Sequence, residues 1–359
     1  MRMTPRRRPT LDDVADAVGV SRATVSNAYN RPDQLSAELR SEVLRTAQRL
    51  GYTGPNPIAR SLATARTGAI AFMLDTGLSA AFSDPALSIT LDALAATVDP
   101  GGHALLLLPG GEDGGPRADR VLTAQADLAV AYSLAERAPA LRAVHQRGLP
   151  LVVIDQPVVP GSARVSIDDR GGAIAAARHL LELGHRRFGI LSAQCLSTPR
   201  SGPLTYREAA DSRFLHYRER LIGYLETLAA AGFSPESVPI WETSGFSRED
   251  AILGAGGLLD RGERPTALLC MSDELALAAI TAARQRGIEV PGDLSIVGFD
   301  DTPAARWGEP PLTTVHQDLV GKGRLAGEFA LRLLAGERPS APTTLDVELI
   351  VRASTAPAR

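Results

Sequence analysis

Apolar residues recur every three or four positions in three stretches of the first fifty residues. This spacing predicts a helix over residues 10–18, a second helix from Ser21 to about residue 30, and a third from Ser36 to about Leu50. Gly19 lies between the first two helices and suits a tight turn. The inner faces would be formed by Leu11, Val14, Ala15, Val18, Val20, Val25, Ala28, Leu39, Val43, Ala47 and Leu50. The pattern therefore predicts a small domain of three helices.

Two helices joined by a tight turn are typical of proteins that read DNA. Thr10 with Asp13 can cap the first helix and Ser21 the second, so both helices have defined starts. In a helix-turn-helix the N-terminal residues of the second helix contact base edges in the major groove. The candidate DNA-binding residues of this domain are Thr10, Ser21, Arg22, Ala23, Thr24, Ser26, Asn27 and Asn30. The alternative is a helical hairpin that has no role in nucleic-acid binding.

Charge is distributed unevenly between the N-terminal end and the rest of the chain. Residues 1–66 contain eleven arginines and six carboxylates, a net charge of +5, whereas the whole chain carries −3 and the remainder therefore −8. A basic N-terminal end favours binding to the phosphate backbone of DNA. The three consecutive arginines at residues 6–8 are equally explained as a solvated tail, whose attraction for DNA would not depend on base sequence.

A short stretch over residues 57–64 is compatible with about two helical turns. Isolated helices this short are marginal in water, so a DNA groove or a partner copy would have to stabilise it. Leu62 is the apolar side chain that could wedge between base pairs in the minor groove. The candidate DNA-binding residues of this segment are Asn56, Ala59, Arg60 and Leu62. The alternative is an ordinary linker whose leucine packs on the next domain.

From about Gly68 onward, short apolar runs alternate with helical stretches. The runs predict buried strands over residues 69–74, 104–108, 128–131, 151–154, 188–191, 267–270 and 295–297, and the stretches predict helices over residues 171–183, 218–231 and 273–286. Such alternation predicts parallel sheets covered by helices on both faces, and about 290 residues suffice for two α/β lobes. Ligands bind at the carboxyl ends of parallel strands, so the cleft between the lobes is the expected pocket.

Four carboxylates follow the predicted strands and are candidates for that pocket. They are Asp75, Asp155, Asp273 and Asp300. A carboxylate accepts two hydroxyl donors at once, which suits sugar hydroxyls. The alternative is helix capping, which is strongest for Asp273 because that residue opens a helix after Ser272. Trp307, in a stretch rich in Gly and Pro, is a further candidate for the pocket wall.

Motifs of common enzyme classes are missing from the sequence. It contains no Gly-x-x-x-x-Gly-Lys phosphate loop, and Lys322 is its only lysine. The glycines at residues 254–257 fall within a helical pattern, the six histidines lack metal-binding spacing, and Cys195 and Cys270 form no paired motif. We therefore expect no enzyme activity, no cofactor and no metal. The basic, polar N-terminus and the lack of an apolar run of membrane-spanning length favour a cytoplasmic protein.

Several segments resemble the LacI/GalR family of bacterial transcription regulators. The resemblance is carried by Thr-Leu-Asp-Asp-Val-Ala from residue 10, Val-Gly-Val-Ser-Arg-Ala-Thr-Val-Ser from residue 18, Leu-Gly-Tyr at 50–52 and Asn-Pro-Ile-Ala-Arg-Ser-Leu at 56–62. It continues with Leu-Gly-His-Arg-Arg at 183–187, Asp-Leu-Ser-Ile-Val-Gly-Phe-Asp-Asp at 293–301 and Pro-Leu-Thr-Thr-Val at 311–315. The family commonly has Arg where this chain has Asn27, and Asn suits adenine or a backbone contact rather than guanine.

The resemblance implies an all-α helix-turn-helix head over residues 1–55, a hinge over 56–67, and an α/β body over 68–359 that binds an effector and dimerises. The body would be periplasmic-binding-protein-like, with two doubly wound parallel-sheet lobes. Crossings near Ser166, Val315 and Pro342 would give lobe one residues 68–166 and 316–342, and lobe two residues 167–315 and 343–359. Arg220 aligns with an arginine that many members use to hold the effector, and Phe246 with an aromatic that stacks on it.

The expected function is that of a repressor whose affinity for DNA is controlled by a sugar or sugar derivative. Its partners would be a pseudo-palindromic double-stranded operator, the effector and a second copy of the chain, as a homodimer or a tetramer, without a membrane. A nucleoside or purine effector and an activator role stay open. A different class of protein, a ligand-binding protein for transport, would need a secretion signal and no basic head, and this sequence has the reverse.

Overall fold

The computed structural model describes residues 9–54, 66–111, 113–196, 198, 200–244, 247–339 and 341–359. The chain divides into two compact units, Met1–Thr67 and Gly68–Arg359, which we call the head and the body. Within the described ranges, no helix is long and apolar enough to cross a membrane.

The described part of the head is a bundle of the three predicted helices. They are α1 (Leu11–Val18), α2 (Arg22–Asn30) and α3 (Ala37–Leu50). Gly19 ends α1 at φ 76°, a left-handed conformation that glycine adopts without strain. The core consists of Val14, Ala15, Val25, Ala28, Val43 and Ala47. Leu50, expected inside, is 37% exposed. Instead, Tyr29 and Tyr52 pack edge to face with ring centroids 6.0 Å apart and lie against the core.

The body contains two parallel-type sheets. Their strands are β1 (Ala69–Leu74), β2 (Ala104–Leu108), β3 (Leu128–Tyr132), β4 (Leu151–Ile154), β5 (Ala163–Ile167), β6 (Phe188–Ser192), β7 (Gly202–Leu204), β8 (Ile240–Glu242), β9 (Ala267–Cys270), β10 (Ser295–Asp300), β11 (Thr313–Gln317), β12 (Thr343–Leu345) and β13 (Val347–Ile350). The central strands are continuous apolar runs because helices cover both faces of each sheet.

Helices connect most of these strands. They are α4 (Ala80–Ser83), α5 (Pro85–Val98), α6 (Ala118–Thr123), α7 (Pro139–Gln146), α8 (Asp169–Glu182), α9 (Tyr206–Ala210), α10 (Leu215–Ala230), α11 (Arg248–Leu259), α12 (Asp273–Gln285), α13 (Pro303–Trp307) and α14 (Leu319–Leu334). Side-chain caps fix the starts of many of them. Asp84 caps α5 and Asp168 caps α8, each accepting backbone N–H bonds.

The two sheets define two lobes. Lobe one has the strand order β12-β5-β4-β3-β1-β2, with every neighbouring pair parallel. Lobe two has the order β13-β11-β10-β9-β6-β8-β7, with antiparallel pairs only at its two edges. In lobe one α14 packs along α5, and in lobe two α8 packs along α10 and α11 along α12. The predicted alternation of strands and helices, and the seven strands it located, are confirmed.

The chain passes between the lobes three times. It leaves lobe one after β5, which ends at Ile167, returns after β11, which ends at Gln317, and crosses again after β12, which ends at Leu345. The crossing expected near Pro342 is therefore wrong by three residues, because β12 still pairs with β5 in lobe one. The crossing expected near Val315 lies two residues early, since β11 pairs with β10 as far as His316 and with β13 as far as Gln317.

Candidate functional site

In the head, the outer side of the start of α2 is open to solvent. Ser21 caps the helix by accepting the Thr24 N–H at 3.1 Å, which fixes the residue at which the helix starts. Arg22 and Ala23 are exposed, and Arg22 forms an exposed ion pair with Asp12 at 2.8 Å. Such a pair contributes little to stability, so the guanidinium is available to exchange its partner for a phosphate or a base.

The remaining DNA-binding candidates of the head have different surroundings. Asn27 is half-buried and donates from Nδ2 to Oε1 of Gln34 at 3.3 Å, a contact that a base could replace. Thr10 is committed to capping α1, where its hydroxyl donates to Asp13 at 2.8 Å. Thr24 and Ser26 are half-buried, and the backbone of Asn30 closes α2. The hinge candidates Asn56, Ala59, Arg60 and Leu62 lie outside the described residues.

In the body, a cleft lies where the carboxyl ends of strands from both lobes meet. Its cavity volume is about 120 Å³. Lobe one contributes Asp75 after β1 and Asp155 after β4, and lobe two contributes Asp300 at the end of β10. Arg220 of α10 lines the cleft as well. Four of the seven effector candidates therefore line one cleft. This is the place that the strand ends of doubly wound sheets provide for ligands.

Backbone strain is concentrated in this cleft. Among the described residues, four that are not glycine have a positive φ, and three of them line the cleft: Ser133 at 51°, Asp155 at 62° and Asp300 at 117°. Each lies at the carboxyl end of a strand. Unfavourable φ values persist where surrounding contacts impose them, and they are enriched at ligand sites. The strain is independent support for a functional role of the cleft.

A buried lysine forms the floor of the cleft. Lys322 of α14 is 2% exposed, and its Nζ lies 3.1 and 3.0 Å from the two carboxylate oxygens of Asp155. The same amine donates to Oε1 of Gln317 at 2.8 Å, and the Gln317 amide donates to Asp300 at 2.6 Å. A continuous set of hydrogen bonds thus joins Asp155 in lobe one to Asp300 in lobe two through the crossing after β11.

Arg220 is held on the lobe-two side of this network. It is 5% exposed and donates from Nε to Asp169 at 2.8 Å and from Nη1 to the carbonyl of Met271 at 2.5 Å. Its Nη1 lies 3.7 Å from Oδ1 of Asp300. Its guanidinium also stacks at 3.5 Å from the ring centre of Phe299. Burial lowers the pKa of Arg220, but the carboxylates of Asp169 and Asp300 outweigh it and raise the pKa above its ordinary value. The side chain is a fixed, charged donor.

Several carboxyl groups in and beside the cleft hold their protons more tightly than in water. Burial raises the pKa of Asp75 to about 7, and the Asp84 carboxylate adds to this. Burial also raises the pKa of Asp300 to about 7 and that of Asp169 to about 6, in both cases against the attraction of Arg220. Buried carboxyl groups with shifted pKa values cluster at binding sites, where they act as donor or acceptor according to their proton.

His216 joins the lobes at the side of the cleft. Its backbone N–H donates to Oε1 of Gln156 at 3.1 Å, and the Gln156 amide is itself fixed by the carbonyls of Ser133 and Leu134. Burial, followed by the charge of Arg220, lowers the pKa of His216 to about 3, so the imidazole is neutral at physiological pH. A second contact between the lobes is the ion pair of Arg218 with Glu136 at 3.2 Å.

The structure places two effector candidates away from the cleft. Asp273 does not line it: this carboxylate is fully buried, accepts the Thr302 N–H at 2.6 Å and the Thr314 hydroxyl, and supports the loop after β10. Trp307 is 84% exposed at the end of α13 and borders a separate shallow hollow, because the short helix faces outward. The expectation that Asp273 and Trp307 line the cleft is therefore wrong. Phe246 lies outside the described residues.

Sequence reasoning missed several residues that line the cleft. Lys322 and Gln317 were passed over because they lie in and before a helix far along the chain, and Asp84 because it caps a helix. His216 carries no local motif either. The one available signal was the lysine itself, since a single lysine in a chain rich in arginine indicates a position where a compact ammonium group is needed.

Comparison with known proteins finds family matches for both the head and the body. The family described as "Bacterial regulatory proteins, lacI family" matches residues 10–56, and "Periplasmic binding protein-like domain" matches residues 177–355. An HTH-type transcriptional regulator of Mycobacterium tuberculosis is 41% identical over 358 residues, covering 98% of each chain.

Solved structures agree with these matches. The complex of the transcriptional regulator CelR with cellobiose has a TM-score of 0.67 at 27% identity, covering 97% of this chain and all of that one. The lac repressor dimer bound to operator and an anti-inducer has a TM-score of 0.76 at 25% identity, covering 98% of this chain and all of that one. With its head, its two-lobed body and these relatives, the chain belongs to the LacI family of DNA-binding transcriptional regulators.

Proposed function

We propose that the protein is a repressor whose affinity for its operator is controlled by a sugar or sugar derivative bound between the lobes. The observation that carries this proposal is the convergence of Asp155, Asp300 and Arg220 on one cleft, with strained backbone at the two carboxylates. Hydroxyl groups of a sugar would donate to the carboxylates and accept from the guanidinium. The CelR relative, whose structure contains cellobiose, shows that this fold can hold a sugar.

DNA recognition falls to the head. The exposed start of α2, with Arg22 and Ala23, is the surface that would enter the major groove, and Asn27 would contact adenine or the backbone. One such helix makes only a few base contacts. A homodimer doubles them and matches a pseudo-palindromic operator, and the similar lac repressor binds its operator as a dimer. A protein with this role works in the bacterial cytoplasm, where its operator lies.

The cleft can be coupled to DNA binding through the movement of one lobe against the other. The lobes share three chain crossings, and the contacts of Gln156 with His216 and of Arg218 with Glu136 hold them together. A ligand that binds one arrangement of the lobes more tightly shifts the population toward it. The chain enters lobe one directly after the hinge, so the shift would alter the spacing of two hinges in a dimer. About 1.4 kcal/mol of coupling changes operator affinity tenfold.

The other candidate functions have less support. A nucleoside effector would need an aromatic side chain that stacks on its base. The candidate for that role, Phe246, lies outside the described residues. A transport protein would have no use for a basic head with an exposed recognition helix. An enzyme would need catalytic groups that are free to react, and the charged groups Lys322, Asp155 and Asp300 of the cleft are held by hydrogen bonds to other side chains of the protein.

The test measures operator binding by the full-length protein with and without candidate ligands. An operator is selected from random DNA, a thermal-shift screen of sugars, sugar phosphates and nucleosides then finds stabilising compounds, and fluorescence anisotropy measures their effect on operator affinity. We expect a sugar to raise the melting temperature and to change operator affinity at least tenfold. A stabilising ligand that leaves operator affinity unchanged would contradict the proposal.

A further inference from the structure

The two buried cations that line the cleft in the described part of the body are each bound to a carboxylate of the protein. The Lys322 ammonium group donates hydrogen bonds to the two carboxylate oxygens of Asp155 and to Oε1 of Gln317, which uses all three of its N–H groups. Arg220 is bound to Asp169 at 2.8 Å, with Asp300 at 3.7 Å. Neither cation is available to an anionic ligand. An anion could bind Lys322 or Arg220 only by displacing a carboxylate of the protein, which would then be buried without a cation at a cost in free energy.

The third cation lies at the mouth of the cleft. Arg248 opens α11, is exposed, and donates to the Thr281 hydroxyl at 3.4 Å. Its charge acts on Glu274, the acidic residue that lines the same part of the cleft. An exposed guanidinium beside a carboxylate attracts an anion weakly, because solvent screens its charge.

The remaining charge of the cleft lies on the wall of lobe one and is negative above about pH 7, the value to which burial raises the pKa of Asp75. Asp75 and Asp84 line this wall, in addition to Asp155, Asp300 and Glu274, which lie near the cations just described. Asp84 accepts two backbone N–H bonds at the start of α5, at 2.9 and 3.3 Å. Asp75 has no ion pair or hydrogen bond to another side chain in the described structure, although the charge of Arg213 acts on it. A ligand next to this wall meets acceptors that favour hydroxyl groups and repel anions.

The rest of the lining suits the carbon face of a small ring. Tyr132, Met271 and Leu275 are buried apolar or amphipathic neighbours. His216 is nine-tenths buried and neutral, and among the described residues its Nδ1 has no hydrogen-bond partner. A neutral imidazole can donate to or accept from a hydroxyl group, and it offers no charge to an anion.

We propose that the effector is an uncharged polyhydroxy compound, and that the cleft excludes forms of the same compound that carry a phosphate or a carboxylate. The inference rests on the proposed function and narrows its ligand class. The discriminating feature is the excess of carboxylates over cations among the described residues of the cleft. An anionic ligand meets repulsion from the lobe-one wall, buried cations that are already bound to carboxylates, and only the solvent-screened Arg248 at the mouth. Hydroxyl groups satisfy the same acceptors without a charge.

The test compares matched ligands by titration calorimetry on the full-length protein at pH 8, where Asp75 is ionised. Hexoses, pentoses and cyclic polyols are each titrated as the free compound, the monophosphate and the acid. Binding is assigned to the cleft only where Asp300→Asn weakens it. We expect a free compound to bind at least tenfold more tightly than its phosphate and its acid. A charged form that binds in the cleft as tightly as its parent overturns the inference, and so does the absence of cleft binding by any compound.

A variant that lacks one carboxylate tests whether the lobe-one wall causes the discrimination against anions. Asp75→Asn removes one carboxylate from the lobe-one wall, and we expect it to reduce the discrimination against the phosphate about tenfold. The matched control is Asp119→Asn, which removes an exposed carboxylate on α6 outside the cleft and should leave the discrimination unchanged. Equal discrimination in wild type and Asp75→Asn would show that the wall carboxylates do not cause it.

Operator binding separates this inference from the proposed function. A phosphorylated sugar that binds in the cleft and changes operator affinity would overturn the inference and leave the proposed function standing. A free sugar that binds in the cleft without changing operator affinity would support the inference and contradict the proposed function.

Discussion

The only lysine of the chain, Lys322, places its Nζ 3.0 Å from Oδ2 of Asp155 at the floor of the interlobe cleft. Both side chains are almost fully buried, with relative exposures of 2% and 9%. The lysine lies on α14, which follows the second crossing, and the aspartate lies after β4, so 167 residues of sequence separate them. A buried ion pair that also reaches Gln317 fixes the geometry on which the ligand site depends.

We expect Lys322→Met to destabilise the body by about 3 to 5 kcal/mol, because it leaves Asp155 buried without its partner. Urea unfolding followed by circular dichroism measures the change. The double variant Lys322→Met/Asp155→Asn removes both charges and should recover most of the loss. If the double variant is as unstable as the single one, the ion pair is not the cause.

Asp300→Asn should separate the two activities of the protein. The variant keeps the shape of the side chain and loses the charge, so we expect affinity for the effector to fall about 10- to 100-fold, as for a lost charge-assisted hydrogen bond of about 1.5 to 3 kcal/mol. Affinity for the operator without effector should stay within about twofold of wild type. Calorimetry and anisotropy give the two numbers, and unchanged effector affinity would remove Asp300 from the site.

Asn27→Arg should change which bases the head prefers. Arginine pairs with guanine in the major groove, whereas asparagine suits adenine or a backbone contact. Sites selected from random DNA by the variant should therefore gain a guanine in each half-site. Arg49→Gln, near the end of α3, is the matched control, since it alters charge and should keep the wild-type consensus. Identical consensus sequences for Asn27→Arg and wild type would argue against a base contact.

Leu62→Ala tests the hinge. If this leucine wedges into the minor groove, the variant should lose about 1 to 3 kcal/mol of specific operator binding and keep its affinity for random DNA. Anisotropy with both kinds of duplex, at one salt concentration, makes the comparison. An equal loss on random DNA would show that Leu62 supports the protein rather than reading the operator.

Asp75→Asn should stabilise the protein increasingly as the pH rises. The pKa of Asp75 is raised to about 7 by burial, whereas the unfolded chain ionises near the ordinary value of 3.8. Between these values the unfolded state releases a proton that the folded state keeps, so ionisation favours unfolding as the pH rises. The gain from the variant should be absent below about pH 4, grow up to about pH 7 and stay constant above. Unfolding midpoints between pH 4 and 8 test this, with Asp119→Asn as the exposed control, and a gain that shrinks with rising pH would refute it.

The local patterns of the sequence were enough to predict the elements and the fold class. Periodic apolar positions with caps at Thr10, Ser21 and Ser36 predicted the three helices of the head, because caps and amphipathic faces act within a few residues. Continuous apolar runs located seven of the strands, since strands covered on both faces need apolar residues at every position. The other six, β5, β7, β8, β11, β12 and β13, were not predicted, because each is short or contains polar residues.

The composition of the cleft was decided by the tertiary structure. Asp75, Asp155, Asp273 and Asp300 look alike in sequence, each following an apolar run, yet Asp273 is turned into the lobe to support the loop after β10. Lys322 and Asp155 meet only because the chain crosses between the lobes three times and returns α14 to lobe one. The sequence by itself determined the helices of the head, the strands with continuous apolar runs and the family, since these depend on neighbours along the chain. The ion pairs that set the charge of the ligand site depend on contacts between distant segments, which only the folded chain brings together.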